Sequence, residues 1–134
     1  MTGTADPVGS ALWGIVAGAT TGGATLAAGV LVVRWLQVGG SAIGPDVGAT
    51  ILGASAFLAF ALAGTSGWHH TRRTRDPWRR GVAGAVAAFG SVLAALPTMI
   101  ADRTGGRIGI AVYLGVLCMA SVWSHRLAGR AAAQ

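Results

Sequence analysis

The sequence predicts an all-α, polytopic membrane protein with four transmembrane helices arranged as two antiparallel hairpins. Four apolar stretches of about 20 residues hold most of the chain, which is the length an α-helix needs to cross a hydrocarbon core of about 30 Å. The mean hydropathy is +0.62, and charged residues make up 10% of the chain. An average soluble domain has about 25% charged residues, so this composition does not suit a surface that faces water.

The predicted spans lie in one domain, 1–134, and are joined by short connections, so neighbouring helices must run antiparallel. Pro7 and Pro77 each follow an aspartate and Pro45 precedes one. This favours a helix start at all three, because proline presets φ and aspartate accepts free backbone N–H groups. Pro97 lies near the end of the third span and either bends that helix or ends it. The spans cover residues 10–33, 47–68, 82–100 and 108–123, and the outer connections are Gln37–Asp46 and Ala101–Arg107.

The arginines predict the orientation of the helices. An even number of spans puts both termini on one side of the membrane, together with the basic loop 69–80, which reads HHTRRTRDPWRR. Only Arg34, Arg103 and Arg107 lie on the opposite side. Because Arg-rich segments stay in the cytoplasm, we expect a multi-pass protein of the cell membrane with both termini cytoplasmic. The first residues carry no positively charged leader, so we expect the first helix to be retained. The arginines on the cytoplasmic side are Arg72, Arg73, Arg75, Arg79, Arg80, Arg126 and Arg130.

The composition also indicates which partners to expect. Every basic residue is Arg and every acidic residue is Asp, a bias that we attribute to GC-rich coding in an actinobacterium-like source. The arginines lie at helix ends and in loops and do not cover one face, so we expect a lipid bilayer as the partner and no nucleic acid. The basic loop can contact anionic lipid headgroups or dock a cytoplasmic protein. Cys118 lies within the fourth span, and we expect a small buried apolar residue there in preference to a reactive thiol.

A stripe of small residues runs along the first span. Its members recur every fourth residue and therefore share one helix face, which favours close backbone approach in a bilayer. We expect this face to pack against protein, either inside the chain's own bundle or across a subunit interface. The stripe consists of Ser10, Gly14, Gly18 and Gly22.

Polar groups of the first span offer a second interpretation, a solute pathway. Thr20, Thr21 and Thr25 place hydroxyls at mid-depth, and Arg34 is the one charge inside an apolar stretch. Each hydroxyl can instead bond to its own helix, and Arg34 can extend to the interface or join an ion-pair cluster with the aspartates there.

Three histidines, His69, His70 and His125, are predicted at the cytoplasmic ends of the second and fourth spans. They can bind a transition metal or haem if they meet. Adjacent helical residues point about 100° apart, however, so His69 and His70 cannot both aim at one centre. No span carries Asp or Glu in its middle, which disfavours a carboxylate-driven pump. We therefore expect no cofactor, no metal and no catalytic residues.

The run IGPDVGATILGASAFLAFALAGTSGW, followed by HHTRRTRDPWRR and two further spans, resembles a family of small four-helix membrane proteins found in actinobacteria. The resemblance covers about residues 37–128. It implies the four-helix fold and carries no activity, cofactor or site residue.

The leading hypothesis is a small non-enzymatic membrane protein that assembles through its first helix, either as a homo-oligomer or as an accessory subunit of a larger membrane complex. The alternatives are a channel, a holin-like pore or a small-solute transporter that uses the threonine face. A haem- or metal-binding membrane protein that uses the histidines is the third possibility.

Overall fold

The computed structural model describes residues 7–38, 44–71 and 75–133, and these residues are helical apart from short connections. No strand occurs in these ranges. Three helical segments are long and apolar enough to cross a membrane, namely Gly9–Gln37, Pro45–His70 and Pro77–Ala131. The all-helical class is therefore confirmed, and the helices are consistent with a membrane protein. The elements are α1 (Pro7–Val38), α2 (Pro45–His70), α3 (Pro77–Ala95) and α4 (Pro97–Ala133).

Each helix begins at a proline. Proline has no N–H to leave unpaired in the first turn, so it is well suited to this position. At the start of α3, the Asp76 carboxylate accepts a hydrogen bond from the Trp78 backbone N–H at 3.0 Å, as the Asp-Pro pattern predicts. At the start of α2, the Gly44 carbonyl accepts from Val47 N–H at 3.1 Å, without a side-chain cap.

The chain passes Pro97 without leaving the helical conformation. Leu96 has φ −55° and ψ −42°, and its N–H donates to the Val92 carbonyl at 3.1 Å. Pro97 therefore interrupts the bonding pattern between α3 and α4 but does not end the helical run. The expected connection over Ala101–Arg107 is wrong in extent, because these residues belong to α4 and only Gly106 is non-helical.

Gly106 turns the chain back on itself. Its φ of 59° and ψ of −141° lie in a region that residues with a Cβ rarely adopt. Beyond it, Gly109 approaches the Ala101 carbonyl so closely that a Cβ would not fit. The Tyr113 hydroxyl donates to the Ala94 carbonyl. The part of α4 after Gly106 therefore packs against the start of α4 and the end of α3.

Helix α1 lies at the centre of the bundle and packs against the other three helices. Helices α2 and α3 also pack together, whereas α4 makes few contacts with either. Near its middle α4 meets α3 at Tyr113, and near its end it meets α2 at His125. Helix α4 therefore crosses over α1 from the α3 side to the α2 side.

The interior of the bundle is built mainly from small residues, with Ile110 as the largest fully buried side chain, and most of the large apolar residues point outward. Ala17, Ala27 and Ala63 are fully buried, whereas Phe57 is 78% and Phe89 is 76% exposed. Soluble proteins bury such side chains, and an exposed apolar surface of this extent suits contact with lipid. The prediction of a buried Cys118 is wrong, because its side chain is exposed on α4. Periodicity could not place it, since the stretch of α4 around Cys118 is apolar on every side.

Candidate functional site

Four side chains from three helices form a continuous series of hydrogen bonds, which we call the histidine chain: His70, His125, Thr21 and Ser121. His70 Nε2 lies 3.0 Å from His125 Nδ1. His125 Nε2 lies 3.0 Å from the Thr21 hydroxyl. The Thr21 hydroxyl lies 2.7 Å from that of Ser121.

The direction of these bonds follows from one carbonyl. Thr21 Oγ1 lies 2.7 Å from the Ala17 carbonyl oxygen, which can only accept, so the Thr21 hydrogen points there. Thr21 therefore accepts from both Ser121 and His125 Nε2–H. A neutral His125 then has an unprotonated Nδ1, which accepts from His70 Nε2–H. Every side-chain N–H and O–H donor of the histidine chain then has a partner, and His70 Nδ1 is left as an acceptor.

The first turns of α1 hold the end of α2 in position. A Cβ at Gly14 would lie 2.5 Å from His70 Cβ, so only glycine allows this approach. The Ser10 hydroxyl donates to the His70 carbonyl at 3.3 Å. The Thr71 hydroxyl donates to the Gly67 carbonyl at 2.9 Å and closes the last turn. Two members of the small-residue stripe thus position a histidine.

The other two members of the stripe lie deeper in the bundle. A Cβ at Gly18 would lie 2.7 Å from the Ala63 carbonyl oxygen. A Cβ at Gly22 would lie 2.5 Å from Ser91 Cβ. The structure therefore places all four stripe residues against α2 or α3 of the same chain, and this face of α1 is occupied within the bundle.

The three histidines do not form one centre. His70 and His125 are hydrogen-bonded, whereas the His69 ring stands edge-on to His70 at 5.5 Å between centroids. Over the described ranges, no group of three or more His, Cys, Asp or Glu side chains is arranged to hold a metal ion. A metal ion held by His70 and His125 would therefore lack a third ligand from this set.

A cleft of about 910 Å³ opens beside the histidine chain, between α2 and α4. Its wall includes Trp68, His69 and Thr65, together with Ser66. The Ser66 hydroxyl is buried and has no hydrogen-bond partner among the described residues. The cleft therefore combines an apolar wall with several polar groups at the end of the bundle.

Of the four expected pathway residues, the structure brings Thr21 and Thr25 together, whereas Thr20 and Arg34 do not line their groove. Each threonine hydroxyl donates to its own helix: Thr20 to Val16 O at 2.8 Å, and Thr25 to Thr21 O at 2.9 Å. Thr21 and Thr25 border a groove of about 430 Å³ between α1 and α4. Arg34 lies toward the opposite end of α1 from Ser10.

Arg34 is paired at that opposite end. Its Nε donates to Asp102 Oδ1 at 3.1 Å. Nearby, the Arg107 guanidinium lies 5.0 Å above the Trp35 ring. Both arrangements are typical of charged side chains anchored where an apolar helix ends.

The described part of the basic loop shows local pairing. Arg79 Nε lies 3.7 Å from Asp76 Oδ2, and both side chains are largely exposed. The Arg80 guanidinium lies 4.3 Å above the Trp68 ring, which connects this segment to the wall of the cleft. Arg75 is exposed. Arg72 and Arg73 lie outside the described residues.

Sequence reasoning did not identify Ser121 or Trp68 as part of a site. Ser121 and His125 are four residues apart and so share one face of α4, which was a usable signal. No comparable signal linked that face to Thr21.

Comparison with known proteins gives no match to a protein family, a curated protein or a solved structure. The resemblance to actinobacterial four-helix proteins therefore stays a prediction.

Proposed function

We propose that the chain is a small non-enzymatic protein of the cell membrane that crosses the bilayer four times and acts by assembling with another membrane protein. The segment Pro77–Ala131 has 55 residues, about 80 Å of helix at 1.5 Å per residue, which is enough for two crossings. The return at Gly106 divides it into two spans. The positive-inside rule then places both termini and the basic loop 69–80 in the cytoplasm.

The observation that carries the proposal is the cleft between α2 and α4. These helices do not close over α1, and the gap exposes Thr65 and the histidine chain at the edge of the apolar zone. A polar group without a partner is costly at this depth, and the Ser66 hydroxyl in the wall of the cleft has no partner among the described residues. A transmembrane helix of a second protein, either another copy or a subunit of a larger complex, fits such a gap.

The surface used for assembly differs from the one expected from the sequence. The small-residue stripe of α1 is filled by α2 and α3 of the same chain. Association through that stripe would require the bundle to open. We therefore assign assembly to the α2 and α4 side.

The proposal is tested by affinity purification in mild detergent, with the mass of the complex measured and bound proteins and lipids identified. We expect either an oligomer or a fixed set of partners. Thr65→Trp places a bulky side chain at the cleft, and its matched control is Thr50→Trp, an exposed threonine near the other end of α2. Loss of the complex with Thr65→Trp alone supports the proposal.

Two results contradict it. A monomer that copurifies with no protein rules out assembly, and a reporter that is extracytoplasmic after Gln134 rules out four crossings. A self-contained oligomer that releases dye from liposomes would favour the alternative, a channel or holin-like pore, through the groove at Thr25.

A further inference from the structure

The hydrogen bond between His70 and His125 is the principal link between α2 and α4. The two helices otherwise make few contacts with each other, and the bond lies beside the cleft that separates them. Whatever changes this bond therefore changes how firmly α4 is held to α2.

Whether His70 and His125 can hydrogen-bond to each other depends on how many protons the two rings carry. In the neutral pair, His70 Nε2–H donates to His125 Nδ1, because His125 Nε2–H is committed to Thr21. One excess proton can enter at His70 Nδ1, which accepts no hydrogen bond from the residues that the structure describes. All existing bonds then remain, and the bond between the rings becomes charge-assisted. A second proton can enter only at His125 Nδ1, where it removes the acceptor and leaves two N–H groups facing each other.

We infer that His70 and His125 form a binding site for one proton that lies across the gap between α2 and α4, and that a second proton separates the two helices. The ligand is the proton itself, bound between two imidazoles. Binding of the first proton strengthens the bridge, and binding of the second breaks it.

Within the described ranges, no carboxylate lies beside the pair to stabilise its doubly charged form. His69 is the neighbouring titratable group on α2, edge-on to His70, and Arg126 is adjacent to His125 on α4. Helix α1 presents Gly14, Ser10 and Thr21 to the pair.

The charged groups on the α3 side do not neutralise the pair either. Arg80 lies over Trp68, and Asp76 is paired with Arg79. The other carboxylates in the described ranges, Asp46 and Asp102, belong to the opposite end of the bundle. None of the described carboxylates therefore compensates the repulsion between two imidazolium rings.

The test measures the separation of α2 and α4 against pH. Leu58 is exposed on α2 and does not border the cleft, and the native Cys118 is exposed on α4. Spin labels on Leu58→Cys and Cys118 report the distance in lipid nanodiscs from about pH 8 to about pH 4, on either side of the ordinary imidazole pKa of about 6.5. We expect one distance near pH 8 and a longer, broader distribution at the acid end.

Two variants assign the effect to the pair. In His70→Gln, the amide can donate to an unprotonated His125 Nδ1 or turn its oxygen to accept from a protonated one, so we expect the acid separation to be lost. The matched control, His69→Gln, removes the adjacent histidine that is not in the bridge, and we expect the separation to persist. An unchanged wild-type distance, a wild-type response in His70→Gln, or loss of the response in His69→Gln each overturns the inference.

A measurement on the wild-type protein keeps the inference testable if a variant does not fold. Nitrogen-15 spectra of the histidine rings near pH 8 should show His125 protonated at Nε2 and unprotonated at Nδ1. A proton on His125 Nδ1 under these conditions would contradict the assigned bond direction.

Discussion

The contact between α1 and its neighbours at Gly18 gives the sharpest prediction of stability. In Gly18→Ala, the added Cβ would lie 2.7 Å from the Ala63 carbonyl oxygen on α2 and 2.9 Å from Ala87 Cβ on α3. Neither atom can rotate away, because one belongs to the backbone and the other is attached directly to it. We therefore expect α1 to be pushed away from both helices at once.

The size of the effect follows from these distances. Ordinary contact begins at 3.4 Å, so each neighbour must recede by about half an ångström or more, and a gap of about 0.5–1 Å loses a quarter to a half of a dispersion contact. Overpacking of this kind typically costs about 1–3 kcal/mol. Alanine has a higher helix propensity than glycine, and this difference stabilises the folded protein by up to about 1 kcal/mol. We expect a net loss of about 1–2 kcal/mol in the free energy of unfolding.

The assay is reversible unfolding in mixed detergent micelles, followed by tryptophan fluorescence or by circular dichroism. Gly53→Ala is the matched control, because Gly53 is also within a helix and a Cβ there meets nothing within 4 Å. We expect this control to be neutral or slightly stabilising. If Gly18→Ala unfolds at the same detergent fraction as Gly53→Ala, the packing argument for α1 is refuted.

Three further predictions follow from single residues. Thr21→Val leaves the His125 and Ser121 donors without their acceptor, so we expect a loss of about 1–3 kcal/mol; the control Thr50→Val, whose exposed hydroxyl bonds only to its own helix, should be near neutral by the same unfolding assay. Gly106→Ala places a Cβ on a residue with φ 59° and should lower the free energy of unfolding by about 1–3 kcal/mol. The control Gly105→Ala, at a residue with negative φ and open space around it, should leave the free energy of unfolding unchanged. Equal stability of the two variants would contradict the turn at Gly106. Cys118 should resist a charged, impermeant maleimide in intact membranes and react with it after denaturation; rapid labelling in intact membranes would contradict its placement against lipid.

The positions of helix starts could be predicted from the sequence because they depend on local chemistry. Pro45 and Pro77 open α2 and α3 as expected, with Asp76 as the cap. The helix ends were less predictable. Helices extend past the apolar stretches, since backbone hydrogen bonding does not stop where hydropathy falls, and the 101–107 segment stays helical except at Gly106.

The histidine chain was only partly predictable. Placement at helix ends allowed His70 and His125 to meet, and they do. Their link to Thr21 could not be anticipated, because it joins residues 104 positions apart and depends on how far each helix is rotated about its axis. Helices that are apolar on every side carry little information about that rotation.

The central position of α1 has a consequence for biosynthesis. Helix α1 leaves the ribosome before the three helices that surround it, and its Thr21 contact must wait for His125, 104 residues later. The glycine face of the nascent α1 can pack as soon as α2 and α3 are inserted, but the Thr21 hydroxyl lacks its Ser121 and His125 partners until α4 follows, so the bundle is completed last on that side. Chains that stop short of α4 should therefore be recognised as incomplete and degraded by membrane quality control.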